Sequence, residues 1–198
     1  MAAAEQKERS SSKAGKVPSA SLGMIAGVGA AGAALGVLAM IGRKFAVQAP
    51  TYFAGDWDDA LAAEHKATLL VFDAIQATPD SAKVKRSMLL ANLKHMLAKH
   101  ALEEENAIYP ALRDAGMVAE ADELNSEHGY VKQYLYELDN MPNDTPKFLE
   151  TMAKFRADIE HHMREEEDGL FPRLKAQLDE ERNRTLTRAM NKEGFKIA

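Results

Sequence analysis

From Asp56 onward the apolar residues fall into four stripes at three- and four-residue steps, the period of helices that bury one face. Trp57, Leu61, Leu69 and Phe72 make the first stripe, over 56–77, which ends before Pro79. Leu89, Leu93, Leu97 and Ile108 make the second, opening near Asp80 as a candidate N-cap and expected to break at Pro110. A third, over 118–140, carries Ala121, Leu124, Val131, Leu135 and Leu138. The fourth opens at Pro146, with Asp144 or Thr145 as its cap, and runs through Phe148, Met152, Phe155, Ile159 and Leu170 to Pro172. Short connections between the stripes predict antiparallel neighbours, and so an all-α, up-down-up-down four-helix bundle over 56–178.

Six polar residues interrupt these stripes at positions that should be apolar: His65, His100, Glu104, His128, His162 and Glu166. A lone histidine on an apolar face is ordinarily a core histidine with a hydrogen-bond partner, and a lone glutamate there a boundary residue. Six such groups on four helices are another matter, because two buried carboxylates need a shared cation or protons to offset their desolvation. The interruptions also repeat. "HALEE" leads to Tyr109-Pro110 and "HMREE" to Phe171-Pro172, while Glu64-His65 and Glu127-His128 each precede the first histidine of those runs by about 35 residues. Residues four apart stack on one side of a helix, so His100/Glu104 and His162/Glu166 can both face inward. Two αα-hairpins related by a pseudo-twofold would then present two nitrogens and one carboxylate each, a ligand set for two metal ions bridged by two carboxylates.

Composition narrows the chemistry. The 198-residue chain has no cysteine, so disulfides, thiolate sites and thiol catalysis are excluded and any metal is held by N and O. Imidazole and carboxylate suit Fe, Mn, Co or Zn, and two bridging carboxylates favour a dinuclear Fe or Mn site. A net charge of -5 with no basic stripe gives no reason to expect nucleic acid as a partner. Gly-rich phosphate loops, a nucleophile elbow and the zinc-protease H-E-x-x-H are absent from the sequence, as is a pair of the Glu-x-x-His motifs of ferritin-like bundles.

Residues 1–21 are polar, and residues 22–42 are apolar without a charge, long enough to span a membrane. We expect a single-pass anchor there; a cleaved signal peptide ending at Val47-Gln48-Ala49 is the competing reading, disfavoured by the long polar start and by Arg43-Lys44. Lys7, Arg9, Lys13 and Lys16 before the span favour the domain on the non-cytoplasmic side. Gly23/Gly27 and Gly32/Gly36 would allow close helix approach and homo-oligomers. Residues 43–55 read as a linker and 179–198 as a charged extension, a frayed helix with no assigned function.

The pattern of one histidine on the first and third helices, His65 and His128, and His-x-x-x-Glu on the second and fourth, each followed by an aromatic-Pro pair, resembles the hemerythrin-like HHE cation-binding domains over 56–178. The resemblance implies a centre of two non-haem iron ions held by the six residues, meeting a small ligand such as dioxygen, peroxide or nitric oxide. It departs from the oxygen carriers, which have a second histidine where Lys132 stands and an Asp five residues after the last histidine; here Glu166 is four after His162 and Glu167 five after it. Reversible oxygen carriage is therefore not implied. Three functions follow: reaction with a small oxidant, iron or oxygen sensing through a partner, or a metal-free helical interaction protein. His95 and His161 fall about 140° and about 100° off the inward stripes at helical rotation and are expected in solvent. Glu103, Glu105, Glu165 and Glu167 are expected in solvent or at the rim as outer hydrogen-bond acceptors, and the Tyr109/Phe171 repeat as a packing cap.

Overall fold

The computed structural model describes residues 53–198 without a break, together with Met40, residues 42–44, 47 and 48, and Thr51. Met40 apart, these lie in one compact unit, Gly42–Ala198. Regular structure among the described residues is helical: α1 (Trp57–Gln76), α2 (Lys83–Glu103), α3 (Tyr109–Asp114), α4 (Val118–Asp139), α5 (Pro146–Glu165), α6 (Phe171–Gln177) and α7 (Glu180–Ile197). Two π-helical turns, Glu104–Ile108 and Glu166–Leu170, join α2 to α3 and α5 to α6. The apolar span expected at 22–42 lies, Met40 and Gly42 excepted, outside the described residues, as do both of its glycine pairs. Among the residues that are described, no helix is long and apolar enough to cross a membrane.

Two apolar clusters show that the long helices alternate in direction. One gathers Trp57 and Leu61 from the start of α1, Ile108 and Leu112 from beyond α2, Ala121 and Leu124 from the start of α4, and Leu170 and Phe171 from beyond α5. The other gathers Phe72 and Ile75 from the end of α1, Leu90 and Leu93 from the first half of α2, Leu138 from the end of α4, and Phe148 and Met152 from the start of α5. Each fully buried Leu, Ile or Phe here contributes roughly 1.5–3 kcal/mol, so the stripes rather than local propensity hold the bundle together. The histidines occupy the level between the clusters, where the apolar stripes are interrupted.

Details at the turns differ from the expected caps. Helix α2 begins at Lys83 rather than beside Asp80, whose carboxylate accepts instead from Arg86 at 2.9 Å. Arg86 is fully buried; it also donates to the hydroxyl and carbonyl of Thr78 and to the Asn143 carbonyl, tying the α1–α2 turn to the α4–α5 turn. Thr145 stands at the N-cap position of α5 and Pro146 opens the helix. Pro110 and Pro172 do not stop their helices. Each follows its glutamate by six residues and lies just past a π turn, in which the amides of Tyr109 and Phe171 donate to the carbonyls of Glu104 and Glu166. Proline lacks an amide proton and its ring crowds the carbonyl four residues back; the wider turn relieves that crowding and lets the helix resume.

The charged end, 179–198, forms a regular helix and not a frayed one. Asp179 caps α7 by accepting from the Arg182 amide at 2.8 Å. Leu186 and Met190 join the first apolar cluster, and Asn183 accepts from the Trp57 indole at 2.9 Å. These contacts seat α7 against the bundle, packed on α1 and α2.

Candidate metal centre

The six residues singled out in the stripes converge. His65 from α1, His100 from α2, His128 from α4, His162 from α5, and Glu104 and Glu166 from the two π turns are all 5% exposed or less. Their inner atoms form two adjoining groups that share the glutamates. In the first, His65 Nε2 and His100 Nε2 are 2.9 Å apart, with Glu104 Oε1 3.2 Å from His100 and Glu166 Oε2 3.4 Å from His65. In the second, His128 Nε2 is 3.3 Å from Glu104 Oε2, and His162 Nε2 is 3.5 Å from Glu166 Oε1. Each carboxylate thus turns one oxygen toward each histidine pair.

The outer ring nitrogens are engaged just as regularly. Nδ1 of His65 contacts Glu167 at 2.6 Å, that of His100 Glu64 at 3.2 Å, that of His128 Glu105 at 3.0 Å and that of His162 Glu127 at 2.6 Å. Every one of these carboxylates comes from a different helical segment than its histidine, so the four helices are cross-linked around the site. A carboxylate on Nδ1 fixes the proton there and leaves the Nε2 lone pair facing inward. Two such lone pairs 2.9 Å apart repel unless a cation or proton lies between them. Ligands about 2.1 Å from an ion and at right angles to one another lie about 3.0 Å apart, so the inner spacings suit neighbouring ligands of one ion. Glu104 Oε1, Glu166 Oε2 and His162 Nε2 are buried without any hydrogen-bond partner, as atoms facing an ion would be.

The electrostatics describe the same unmet need. Burial pushes Glu104 upward, but His100 and His128 outweigh it and hold that carboxyl well below the usual range. Burial and the neighbouring Glu104 drive Glu166 well above the usual range. Burial lowers His100, yet Glu104 and Glu64 raise it well above the ordinary value, whereas burial and His100 together lower His65. Without a metal, protons on Glu166 and His100 supply the charge that a cation would bring.

The flanking residues were only partly legible in the stripes. Glu105 and Glu167 stand at the rim as outer acceptors, and Glu165 and His161 pair at 3.3 Å in solvent. His95 is half-buried and belongs to neither inner group. Glu103, expected at the surface, is instead fully buried, because α7 covers it. A Cβ on Gly194 of α7 would stand 1.8 Å from Glu103 Oε1, so any larger residue there would displace the Glu103 carboxylate. Lys99 is buried between Glu103, at 2.8 Å, and Glu64, and burial with the charge of Glu64 pushes Glu103 up to about 8. Glu64 and Glu127 acquire their role only here, although the repeated Glu-His pairs had marked both. Tyr109 corrects the packing-cap expectation: its hydroxyl reaches into the second group, 3.0 Å from His128 Nε2. On an unbroken helix Tyr109 would lie about 180° from His100, and the π turn takes back roughly one residue of that rotation.

Glu64→Gln and Glu127→Gln are each expected to weaken metal binding by roughly 10–100-fold, the usual worth of a carboxylate behind a ligating histidine. Chelator competition measures this, with the exposed Glu165→Ala as the control. A change below about threefold in both would mean that the Nδ1 contacts do not orient the rings.

Comparison with known proteins agrees with this geometry. The profile of the hemerythrin HHE cation binding domain matches residues 58–174. A DNA nickase of Nostoc sp. is 24% identical over 123 residues, covering 62% of this chain and 34% of the nickase. An uncharacterized hemerythrin-like protein of Schizosaccharomyces pombe is 30% identical over 90 residues, 43% of each chain. The matched stretches thus span less than half the length of these curated relatives. No solved structure matches. With more than half of its length matched, and with His/Glu groups in its core that could hold a metal ion, the chain belongs to the hemerythrin HHE cation-binding family.

Proposed function

We propose that the bundle holds two non-haem iron ions and that the centre binds or reacts with a small oxidant such as dioxygen, peroxide or nitric oxide. The carrying observation is that Glu104 and Glu166 each turn one oxygen toward each histidine pair, all within 3.5 Å. His65, His100, Glu104 and Glu166 would hold one ion, and His128, His162 and the other oxygens of the two glutamates the second. Iron is favoured over manganese by the resemblance to hemerythrin-like domains, while the donor set of imidazole and carboxylate suits either. When bound, such a pair supplies a redox couple and coordination positions for a small ligand.

The chain's own residues do the rest. Four outer carboxylates aim the imidazoles and raise their basicity; the apolar cluster around Ile108, Leu112 and Phe171 keeps bulk water from one end of the site. Lys132, where the oxygen carriers have a further ligand, is 68% exposed and pairs with Glu105, so it leaves the inner positions free. The nickase activity belongs to a protein of which the match covers 34%, and it is not carried to this chain. The apolar stretch 22–42 is proposed to tether the domain to a membrane, which fractionation of the full chain would test.

One observation favours a second reading, a sensor acting through a partner. Gln48 donates both to Asn191 of α7 and to Glu103, and Glu103, Lys99 and Glu64 form a continuous polar path to His100. Anaerobic iron loading followed by peroxide addition separates the two. The oxidant reading expects about two irons per chain and peroxide consumption that depends on them. Iron uptake without turnover, accompanied by a change in hydrogen exchange along α7, favours the sensor. Fewer than one iron per chain overturns both.

A further inference from the structure

The twofold repeat of the centre is broken at one position on each side, and the break lies in the chemistry facing the metal. Tyr109 and Phe171 are equivalent residues, each five after its glutamate, each the first residue past a π turn and each 2% exposed. Phe171 brings only a ring, set edge-on to Trp57 at 5.2 Å and stacked on His65 at 6.3 Å. Tyr109 brings a hydroxyl 3.0 Å from His128 Nε2, 3.3 Å from Glu104 Oε2 and 3.4 Å from Glu166 Oε1. Those are three of the four inner atoms of the second group, and the hydroxyl's distances to them match the spacing of ligands around a single ion. The first group has no counterpart.

We propose that Tyr109 is a direct ligand of the ion held by His128 and His162, which makes the two ions inequivalent and leaves the ion under Phe171, held by His65 and His100, as the one that takes the outside ligand. The proposal rests on the dinuclear iron reading above. In the metal-free protein the phenol has three acceptors within reach, the His128 Nε2 lone pair, left free when Glu105 holds the ring proton on Nδ1, and the inner oxygens of Glu104 and Glu166. An ion bound by that lone pair and by the two carboxylate oxygens engages all three acceptors and leaves the phenol oxygen facing the ion. The O–H bond then breaks, an oxygen–metal bond forms and the proton leaves to solvent; nothing is oxidised or reduced. The alternative is that the phenol swings its proton to Glu104 or Glu166 and stays a hydrogen-bond donor.

Coordination and donation differ spectroscopically, because a phenolate bound to ferric iron has an intense charge-transfer band in the visible range and resonance-enhanced ring vibrations, and a hydrogen-bonded phenol has neither. The experiment is absorption and resonance Raman spectroscopy of the full chain loaded with iron and oxidised, without azide or other added anions, with iron per chain measured on the same sample. The expected result is a visible band whose Raman enhancement shows tyrosine ring modes, shifted when the protein is made with ring-deuterated tyrosine. Tyr109→Phe should lose the band per iron bound, and Phe171→Tyr should add a second one. Full iron content with no tyrosine modes overturns the proposal while leaving the dinuclear reading intact; an iron content below one overturns that reading instead. The isotope shift needs no variant, so the test stands even if Tyr109→Phe fails to fold.

Discussion

Alanine at Glu104 or at Glu166 is expected to strip the protein of both metal ions, not one. Each carboxylate has an oxygen in both inner groups, so its removal takes a charged ligand from each ion at once. It also leaves the opposite glutamate as the sole negative charge among four imidazoles. The loss should exceed the roughly 10–100-fold expected for the outer carboxylates, because the bond to the ion itself is gone. Iron per chain after gel filtration is the measurement, and it should fall from about two to near zero in both variants. Single-histidine variants make the contrast: His162→Ala acts on one group alone and should leave the His65/His100 ion in place. A Glu166→Ala protein that still carries about two irons would show that the glutamates do not bridge.

What the sequence discloses and what it hides divide along a physical line. The bundle and its six inward polar residues follow from helical periodicity alone, since a histidine or glutamate inside an apolar stripe has nowhere to go but the core. Residues that depend on a departure from periodicity are invisible to that argument. Tyr109 is counted to the wrong face because a π turn lies between it and His100, and the only trace of that turn is the proline six residues after the glutamate, present in both repeats. Glu103 is counted as surface because α2 alone would expose it; a separate helix, α7, covers it, and the sole hint is Gly194 in an otherwise charged tail. Glu64 and Glu127 are a different case, for each is partly buried and adjacent to a core histidine. Their pairing across helices, Glu64 with His100 and Glu127 with His162, cannot be read from one stripe, although the repeat of Glu-His in both hairpins was a signal that could have carried it.

Removing the metal is expected to lower the melting temperature by on the order of 10 °C, and the gap should widen as pH rises above the ordinary histidine value. A ligand that binds only the folded state stabilises it by about 4 kcal/mol at a thousand times its dissociation constant. For a unit of this size each kcal/mol is worth about 2–4 °C. The pH dependence follows from the metal-free protonation states. Glu166 and His100 have folded values raised above their unfolded ones, so the stability that their protons bring is present at low pH and is lost as pH climbs through the folded values. Bound metal replaces those protons, so the loaded form does not suffer that loss, and its formation releases protons and is favoured by higher pH. His65 works in the opposite direction, since burial and His100 lower it, but only below its ordinary value of 6.5. Glu104 is depressed and contributes a pH slope only in the acid range. Above pH 6.5, therefore, Glu166 and His100 set the sign. Glu103, raised to about 8, titrates in both forms and largely cancels from the difference. Thermal melts of loaded and chelator-treated protein from near neutrality to about pH 9 measure the gap directly. Equal melting temperatures, or a gap that narrows as pH rises, would show that the buried glutamates and histidines are satisfied without a cation.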